Sequence, residues 1–125
     1  MHQMYNYRIM THDGQVGSDT KDYNLAYAFL KNRNRFAWIE FERKGKWSYG
    51  DAMEVAHQWI TLRYPQVKAV LMTSILVLEV PHGLVEPMRD DLIAIRQLGG
   101  AEIEIRPTTL GPEYVIIWDP NKSRF

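Results

Sequence analysis

The stretch VKAVLMTSILVLEV, residues 67–80, is the strongest strand signal in the chain. It is apolar on both faces, which is typical of a central strand that is covered on both sides. It is also long, because strands average about 5–6 residues. We therefore expect it either to bend near Thr73–Ser74 or to project beyond its neighbours. His82–Gly83 follows the strand and ends it.

Helical patterns flank this strand on both sides. Before it, an apolar stripe over residues 52–62 predicts a helix that ends near Tyr64, where a proline stops it. Ser48 and Asp51, three residues apart, resemble a capping box at its start. After the strand, residues 87–98 repeat a helical pattern, with a proline at the first position and two glycines after the last.

The remaining patterns complete the predicted order of elements. Further strands are expected at Tyr5–Thr11, Phe36–Arg43, Ala101–Arg106 and Tyr114–Trp118. A loop is expected at 12–19, followed by a helix at 20–32 that Ser18 or Asp19 caps. The order is β-α-β-α-β-α-β-β, which favours a largely parallel core and a final hairpin.

This order predicts an α/β fold in a single domain. We expect a mixed five-stranded sheet with three helices over residues 1–125, and a polar tail at 119–125. The alternative is an α+β sandwich with all helices on one face of the sheet. Glu102, Glu104 and Arg106 alternate with isoleucines, so we expect them to face outward on a strand at the edge of the sheet.

The composition is that of an ordinary globular protein. The 125 residues are 46% hydrophobic and 24% charged, which suits one domain with a real core. The absence of cysteine excludes a disulfide scaffold, a thiolate zinc site and a cysteine nucleophile. The N-terminus lacks a signal-peptide pattern, and the longest apolar run is too short to span a bilayer. We expect a cytoplasmic protein without membrane contact.

The net charge is zero, but the two halves differ in sign. Residues 1–47 hold eight Lys/Arg against five Asp/Glu, a net of +3, and residues 48–125 hold seven against ten, a net of −3. A neutral chain is not a general nucleic-acid binder on charge alone. The asymmetry permits a basic face on the first half, or complementary contacts between halves or between subunits.

The stretch RFAWIEFERKGKWSYG, residues 35–50, is rich in aromatic rings and cations. A nucleic-acid or ligand site there would use Phe36 and Trp38 as stacking platforms. Its further candidate contacts are the following residues: Arg35, Lys44, Lys46 and Trp47.

Strand alternation argues against that stacking site. Glu40 and Glu42 share the face of the two rings and would repel a nucleic-acid backbone. We therefore expect Trp38 to be mostly buried, by a helix or by a second subunit, with Glu40 and Glu42 near the rim of the sheet, where water reaches them.

Two further groups are candidates for chemistry. Glu54 and His57 are three residues apart on a predicted helix, which suits a general acid/base pair, although a solvated helix face is the simpler interpretation.

His12, Asp13 and His82 each follow a predicted strand. If those strands were parallel neighbours, these side chains would share a ligand crevice at the strand ends. Two histidines do not complete a zinc site, so no metal is expected.

The sequence carries no catalytic or nucleotide-binding fingerprint, and no cofactor is predicted. The first hypothesis is a small non-enzymatic binding protein that acts through a protein partner or as a homo-oligomer, because Tyr, Trp and Met are abundant in this chain and enriched in interface cores. The alternatives are a small-molecule-binding protein or small enzyme, with a pocket at the strand ends or at a subunit interface, and a nucleic-acid binder acting through residues 31–47.

Overall fold

The computed structural model describes residues 5–122, which form three helices and two four-stranded antiparallel sheets. Contacts divide the chain into two compact units, one ending at Gly50 and the other beginning at Asp51. The three predicted helices are confirmed, and the class is α+β, which was the alternative to the expected α/β fold with a largely parallel core. The predicted single mixed sheet of five strands is wrong, because three segments form antiparallel hairpins that the patterns did not separate. That the whole chain forms one domain stays a prediction.

The first unit holds one helix and four strands. They are β1 (Asn6–Thr11), β2 (Gly14–Thr20), α1 (Tyr23–Lys31), β3 (Trp38–Arg43) and β4 (Lys46–Ser48). The sheet order is β2-β1-β3-β4. The loop predicted at 12–19 is mostly strand, because His12 and Asp13 alone make the turn between β1 and β2.

Local chemistry sets the boundaries in this unit. The Asp22 carboxylate accepts hydrogen bonds from two backbone N–H groups in the first turn of α1, so Asp22 is the cap and Ser18 and Asp19 are not. Lys44 and Gly45 both have positive φ, 53° and 79°, between β3 and β4. A two-residue loop with both φ values positive matches the twist of a hairpin, which explains the additional strand β4.

The second unit holds two helices and four strands. They are α2 (Ala52–Arg63), β5 (Lys68–Met72), β6 (Ile75–Val80), α3 (Arg89–Gln97), β7 (Glu102–Arg106) and β8 (Glu113–Trp118). The sheet order is β5-β6-β8-β7, and every neighbouring pair is antiparallel. The predicted final hairpin of β7 and β8 is confirmed, and β7 is an edge strand as predicted.

The long apolar stretch at residues 67–80 is a hairpin rather than one central strand. Thr73 and Ser74 form its turn, and Ser74 has a positive φ of 67°. The predicted bend at this place is therefore a complete reversal. No proline or glycine marks the turn, so the sequence reads as uninterrupted strand.

One face of the second sheet belongs to the core. Its central side chains are fully buried: Leu76, Leu78, Val80, Val115 and Ile117. Trp59 and Ile60 on α2 and Ile95 on α3 are likewise fully or almost fully buried. Asp51 caps α2 by accepting from the Met53 N–H at 2.7 Å. This layer of helices against one sheet face buries the apolar stripes that the sequence predicted.

The predicted tail at 119–125 is described as far as Lys122. The Asp119 N–H donates to the Ser74 carbonyl at 3.4 Å, and the Lys122 ammonium lies 3.5 Å from the Asp51 carboxylate. These contacts hold the start of the tail against its own unit. Residues 123–125 lie outside the described residues.

Candidate functional site

The second sheet has one face that no helix of its unit buries. Residues directly opposite one another on neighbouring strands share a face of a sheet, so the register defines three rows across β5, β6, β8 and β7. The rows are Lys68–Glu79–Tyr114–Arg106, Val70–Val77–Ile116–Glu104 and Met72–Ile75–Trp118–Glu102. We call this surface the open face.

Six apolar side chains lie together on the open face, across strands β5, β6 and β8. This apolar block consists of Val70, Met72, Ile75, Val77, Ile116 and Trp118. Met72 is 50% exposed, Val70 is also exposed, and the other four are half-buried. Single exposed apolar residues are normal on protein surfaces, but a contiguous patch marks an interaction site.

Charged residues border the apolar block on two sides. Lys68 lies directly opposite Glu79, and the Tyr114 hydroxyl is 3.4 Å from the Glu79 carboxylate. Along the β7 edge, Arg106 forms an ion pair with Glu104. The predicted outward orientation of Glu102, Glu104 and Arg106 is confirmed, since all three are exposed. An apolar patch bordered by polar residues is typical of an interaction site.

The predicted stacking rings of the first unit are buried. Trp38 is 5% exposed and Phe36 equally little, so the predicted burial of Trp38 is confirmed. The Trp38 indole N–H donates to the Glu40 carboxylate at 2.9 Å. The prediction that water reaches Glu40 is wrong, because Glu40 is only 8% exposed.

Glu40 is buried because cationic and indole donors satisfy it. Arg8 lies directly opposite Glu40 on β1, and its guanidinium donates to one carboxylate oxygen at 2.6 and 3.0 Å. The same guanidinium lies 4.3 Å from the centroid of the Trp47 ring. A buried charge is tolerable when it is paired and hydrogen-bonded. Trp47, a predicted ligand contact, therefore packs on Arg8.

The other predicted cations are on the surface. Arg35, Lys44 and Lys46 are all exposed. Lys44 lies in the β3–β4 turn and Lys46 follows it on β4. They remain available for a partner, although the rings predicted to act with them are not.

The expected histidine crevice depended on parallel neighbouring strands, and the observed strands are not parallel. His12 and Asp13 form the turn after β1, and His82 follows β6. These strands belong to different antiparallel sheets, so the rule for parallel strand ends does not apply. The His12 ring lies 5.1 Å from the Trp38 ring, measured between centroids. The Gly83 N–H, beside His82, donates to the Glu113 carboxylate at 3.3 Å.

Glu54 and His57 lie on α2, as predicted. Glu54 is exposed and lines a shallow cavity of about 320 Å³ with residues of the β5–β6 turn, whereas His57 is half-buried and is not part of that lining. Within residues 5–122, no three His, Cys, Asp or Glu side chains come close enough to hold a metal ion. An acid/base role for Glu54 and His57 stays a prediction.

Sequence reasoning missed the open face, although its signal was present. Residues 67–80 are apolar on both faces, and we interpreted this as cover on both sides. Apolar residues on both faces are equally expected where one face lies in the core and the other is covered by a partner.

Among the described helices, none has the length and apolar character needed to cross a membrane. Comparisons of the chain with family models, with characterised proteins and with solved structures found no match.

Proposed function

We propose that this protein is a non-enzymatic binding protein that acts as a homodimer, and that two copies pack through the open face. The observation that carries the proposal is the apolar block, six side chains that no helix of the second unit covers. Burial of apolar surface is the dominant favourable term in protein association. A second copy supplies an identical block of matching size.

The dimensions of the open face suit a weak dimer. Four strands at about 4.8 Å spacing and five residues at about 3.4 Å each give a flat outline of about 320 Å². Standard interfaces bury about 800 Å² of accessible surface per partner. The protruding side chains add accessible surface to this flat outline, but the total area stays below that of a large obligate interface. We therefore expect a dissociation constant in the micromolar range.

One two-fold arrangement pairs opposite charges along the β7 edge of the open face. If the symmetry axis runs across the strands, the row Val70–Val77–Ile116 packs on itself in the second copy. The outer rows then exchange places, so Arg106 of one copy opposes Glu102 of the other, and this pair occurs twice. Glu104 lies on the axis and therefore opposes Glu104 of the second copy, a repulsion that its ion pair with Arg106 reduces.

A charge placed in the apolar block tests the proposal. Val77→Lys puts an ammonium at the centre of the interface, where it would be buried without a partner. In the monomer the same side chain reaches water, so the fold should persist. We expect the dissociation constant from sedimentation velocity to rise at least tenfold, about 1.4 kcal/mol. Leu110→Lys, at an almost fully exposed position outside the block, is the matched control.

A charge reversal tests the two-fold arrangement itself. Arg106→Glu should weaken the dimer because it sets like charges opposite each other, and the double variant Arg106→Glu with Glu102→Arg should restore it. A native chain that stays monomeric at several hundred micromolar would refute self-association. A dimer that Val77→Lys leaves intact would place its interface elsewhere on the chain.

A further inference from the structure

Five aromatic rings form a continuous path in the first unit. Neighbouring ring centroids lie 5.6, 6.3, 5.3 and 6.4 Å apart along this aromatic path, which runs in the order Phe41, Tyr5, Tyr7, Tyr23 and Tyr27. Phe41 lies on β3 and Tyr7 on β1, Tyr5 directly precedes β1, and the last two rings lie on α1. The path is distinct from the buried rings of Phe36 and Trp38, which lie on the opposite face of β3.

The register and the helix period explain why these rings align. Tyr7 lies directly opposite Phe41 in the pairing of β1 with β3, so both point to the same face. Tyr23 and Tyr27 are four residues apart on α1, which places them on one side of the helix. The Tyr7 and Tyr23 rings meet edge to face and join the two halves of the path.

The aromatic path is accessible along its length. Tyr23 is 43% exposed and Tyr27 is also exposed, while Tyr5, Tyr7 and Phe41 are half-buried. One exposed ring would be ordinary, but a continuous row of partly exposed rings offers contiguous apolar surface, which marks an interaction site. These rings are therefore placed where a flat ligand could stack on them.

Cations stand at both ends of the path. Arg43 is two residues beyond Phe41 on β3, hence on the same face, and it lies directly opposite Lys46 on β4. At the other end, Lys31 is one turn beyond Tyr27 on α1. All three cations are exposed. The arrangement is aromatic in the middle and positive at each end.

Four of the five carboxylates in residues 1–47 accept hydrogen bonds within this unit, and one of them, Glu40, is also paired with a cation. Asp22 caps α1, and Asp19 accepts from the Gln15 side chain at 2.7 Å. Glu40 is paired with Arg8, and Glu42 accepts from the Asn6 amide at 3.0 Å. With eight Lys/Arg against five Asp/Glu in residues 1–47, this unit favours an anionic ligand.

We infer that the aromatic path binds single-stranded nucleic acid. Proteins that bind single strands without sequence preference combine aromatic platforms for the bases with cations for the phosphates. A duplex hides its base faces, so it cannot use the rings. The ligand class is thus an unpaired oligonucleotide whose bases lie on the tyrosines and whose phosphates contact Arg43, Lys46 and Lys31.

Fluorescence anisotropy with a labelled 12-nucleotide oligothymidylate tests the inference. With three phosphate contacts at about −0.7 each for single strands, the logarithm of the binding constant should fall against the logarithm of salt with a slope of about −2. A duplex of equal length should bind at least tenfold more weakly. No binding at 20–50 mM salt, or equal binding of duplex and single strand, would overturn the inference.

Paired variants separate stacking from simple charge attraction. Tyr23→Ala with Tyr27→Ala should weaken oligothymidylate binding at least tenfold, since each stacked base contributes about 1–3 kcal/mol. Tyr23→Phe with Tyr27→Phe should preserve it. Phe29→Ala is the matched control, because Phe29 is exposed on α1 but lies a little more than half a turn from Tyr27.

The outcome is independent of the proposed dimer. The path lies in the first unit and the apolar block in the second, so the titration is repeated on Val77→Lys. Binding that survives in this variant and is lost in the Tyr23→Ala with Tyr27→Ala variant supports the path alone. Retained affinity after both tyrosines are truncated would overturn the path, whatever the state of association.

Discussion

At the scale of single residues, Glu40 is a charged side chain that the first unit buries. Its carboxylate holds the Trp38 indole and the Arg8 guanidinium, and Arg8 in turn stacks on Trp47. Removing one member of a buried ion pair leaves the other charge uncompensated, which typically costs about 3–5 kcal/mol.

We therefore expect Glu40→Ala to lower the free energy of unfolding by about 3 kcal/mol, measured by urea denaturation. Glu40→Gln should cost less, because its amide oxygen still accepts a hydrogen bond. Glu42→Ala is the control, since Glu42 is half-buried and accepts one bond from Asn6. An effect of Glu40→Ala within 0.5 kcal/mol of native (about the size of an ordinary surface change) would contradict this account.

At alkaline pH, the stability of the second unit depends on whether the Tyr64 hydroxyl keeps its proton. Burial, together with the hydrogen bond to the Asp91 carboxylate, raises the pKa of the Tyr64 hydroxyl well above its ordinary value. The folded state therefore holds this proton more tightly than the unfolded state, in which the pKa is about 10. The contribution is complete below that pH and is lost as the pH rises above it.

Between pH 10 and 11.5, the free energy of unfolding should fall less steeply with pH in Tyr64→Phe than in the native protein. Chemical denaturation at a series of pH values measures this slope. Identical slopes for Tyr64→Phe and native protein would show that Tyr64 titrates normally.

At the scale of elements, the β5–β6 hairpin depends on Ser74 adopting a left-handed conformation. Its φ of 67° costs a non-glycine residue about 1–2 kcal/mol. Glycine relieves this cost but adds freedom to the unfolded chain, worth about 0.5–1 kcal/mol. Because the relieved cost is somewhat larger than the added freedom of the unfolded chain, we expect Ser74→Gly to stabilise the protein by about 0.5 kcal/mol. Thermal or urea unfolding measures this difference.

The reverse substitution provides the contrast. Ser74→Val should destabilise the protein, because a β-branched residue tolerates positive φ poorly. Equal stabilities for the glycine and valine variants would mean that the backbone at this turn is not strained.

The same hairpin shows how far sequence patterns predict this fold. The three helices follow from apolar periodicity and from caps such as Asp51, which act within one turn. The hairpins at residues 12–13 and 73–74 do not follow, because the first leads into a glycine-rich strand and the second contains no glycine or proline. One missed reversal converts two antiparallel strands into a single central strand. It thereby also hides the open face, whose residues become visible only when β5 and β6 are paired.

At the scale of the whole molecule, the charge difference between the halves nearly coincides with the structural division. The change from net positive to net negative sequence falls at residues 47–48, and the first unit ends at Gly50. The two proposed surfaces follow this division, with anion binding on the positive unit and self-association on the negative one. The charge of the sequence could predict that the two halves differ in their partners. The particular side chains that form each surface could be identified only from the strand register.

The hairpin architecture also bears on how the chain folds. Four of the six strand pairings join neighbours in sequence, and hairpins form in about 1–10 μs. The β1–β3 and β6–β8 pairings instead enclose long segments that include α1 and α3, and closing such loops costs entropy before the contacts compensate for it. We expect the hairpins to be present early and these two pairings to govern the rate at which each unit reaches its native state.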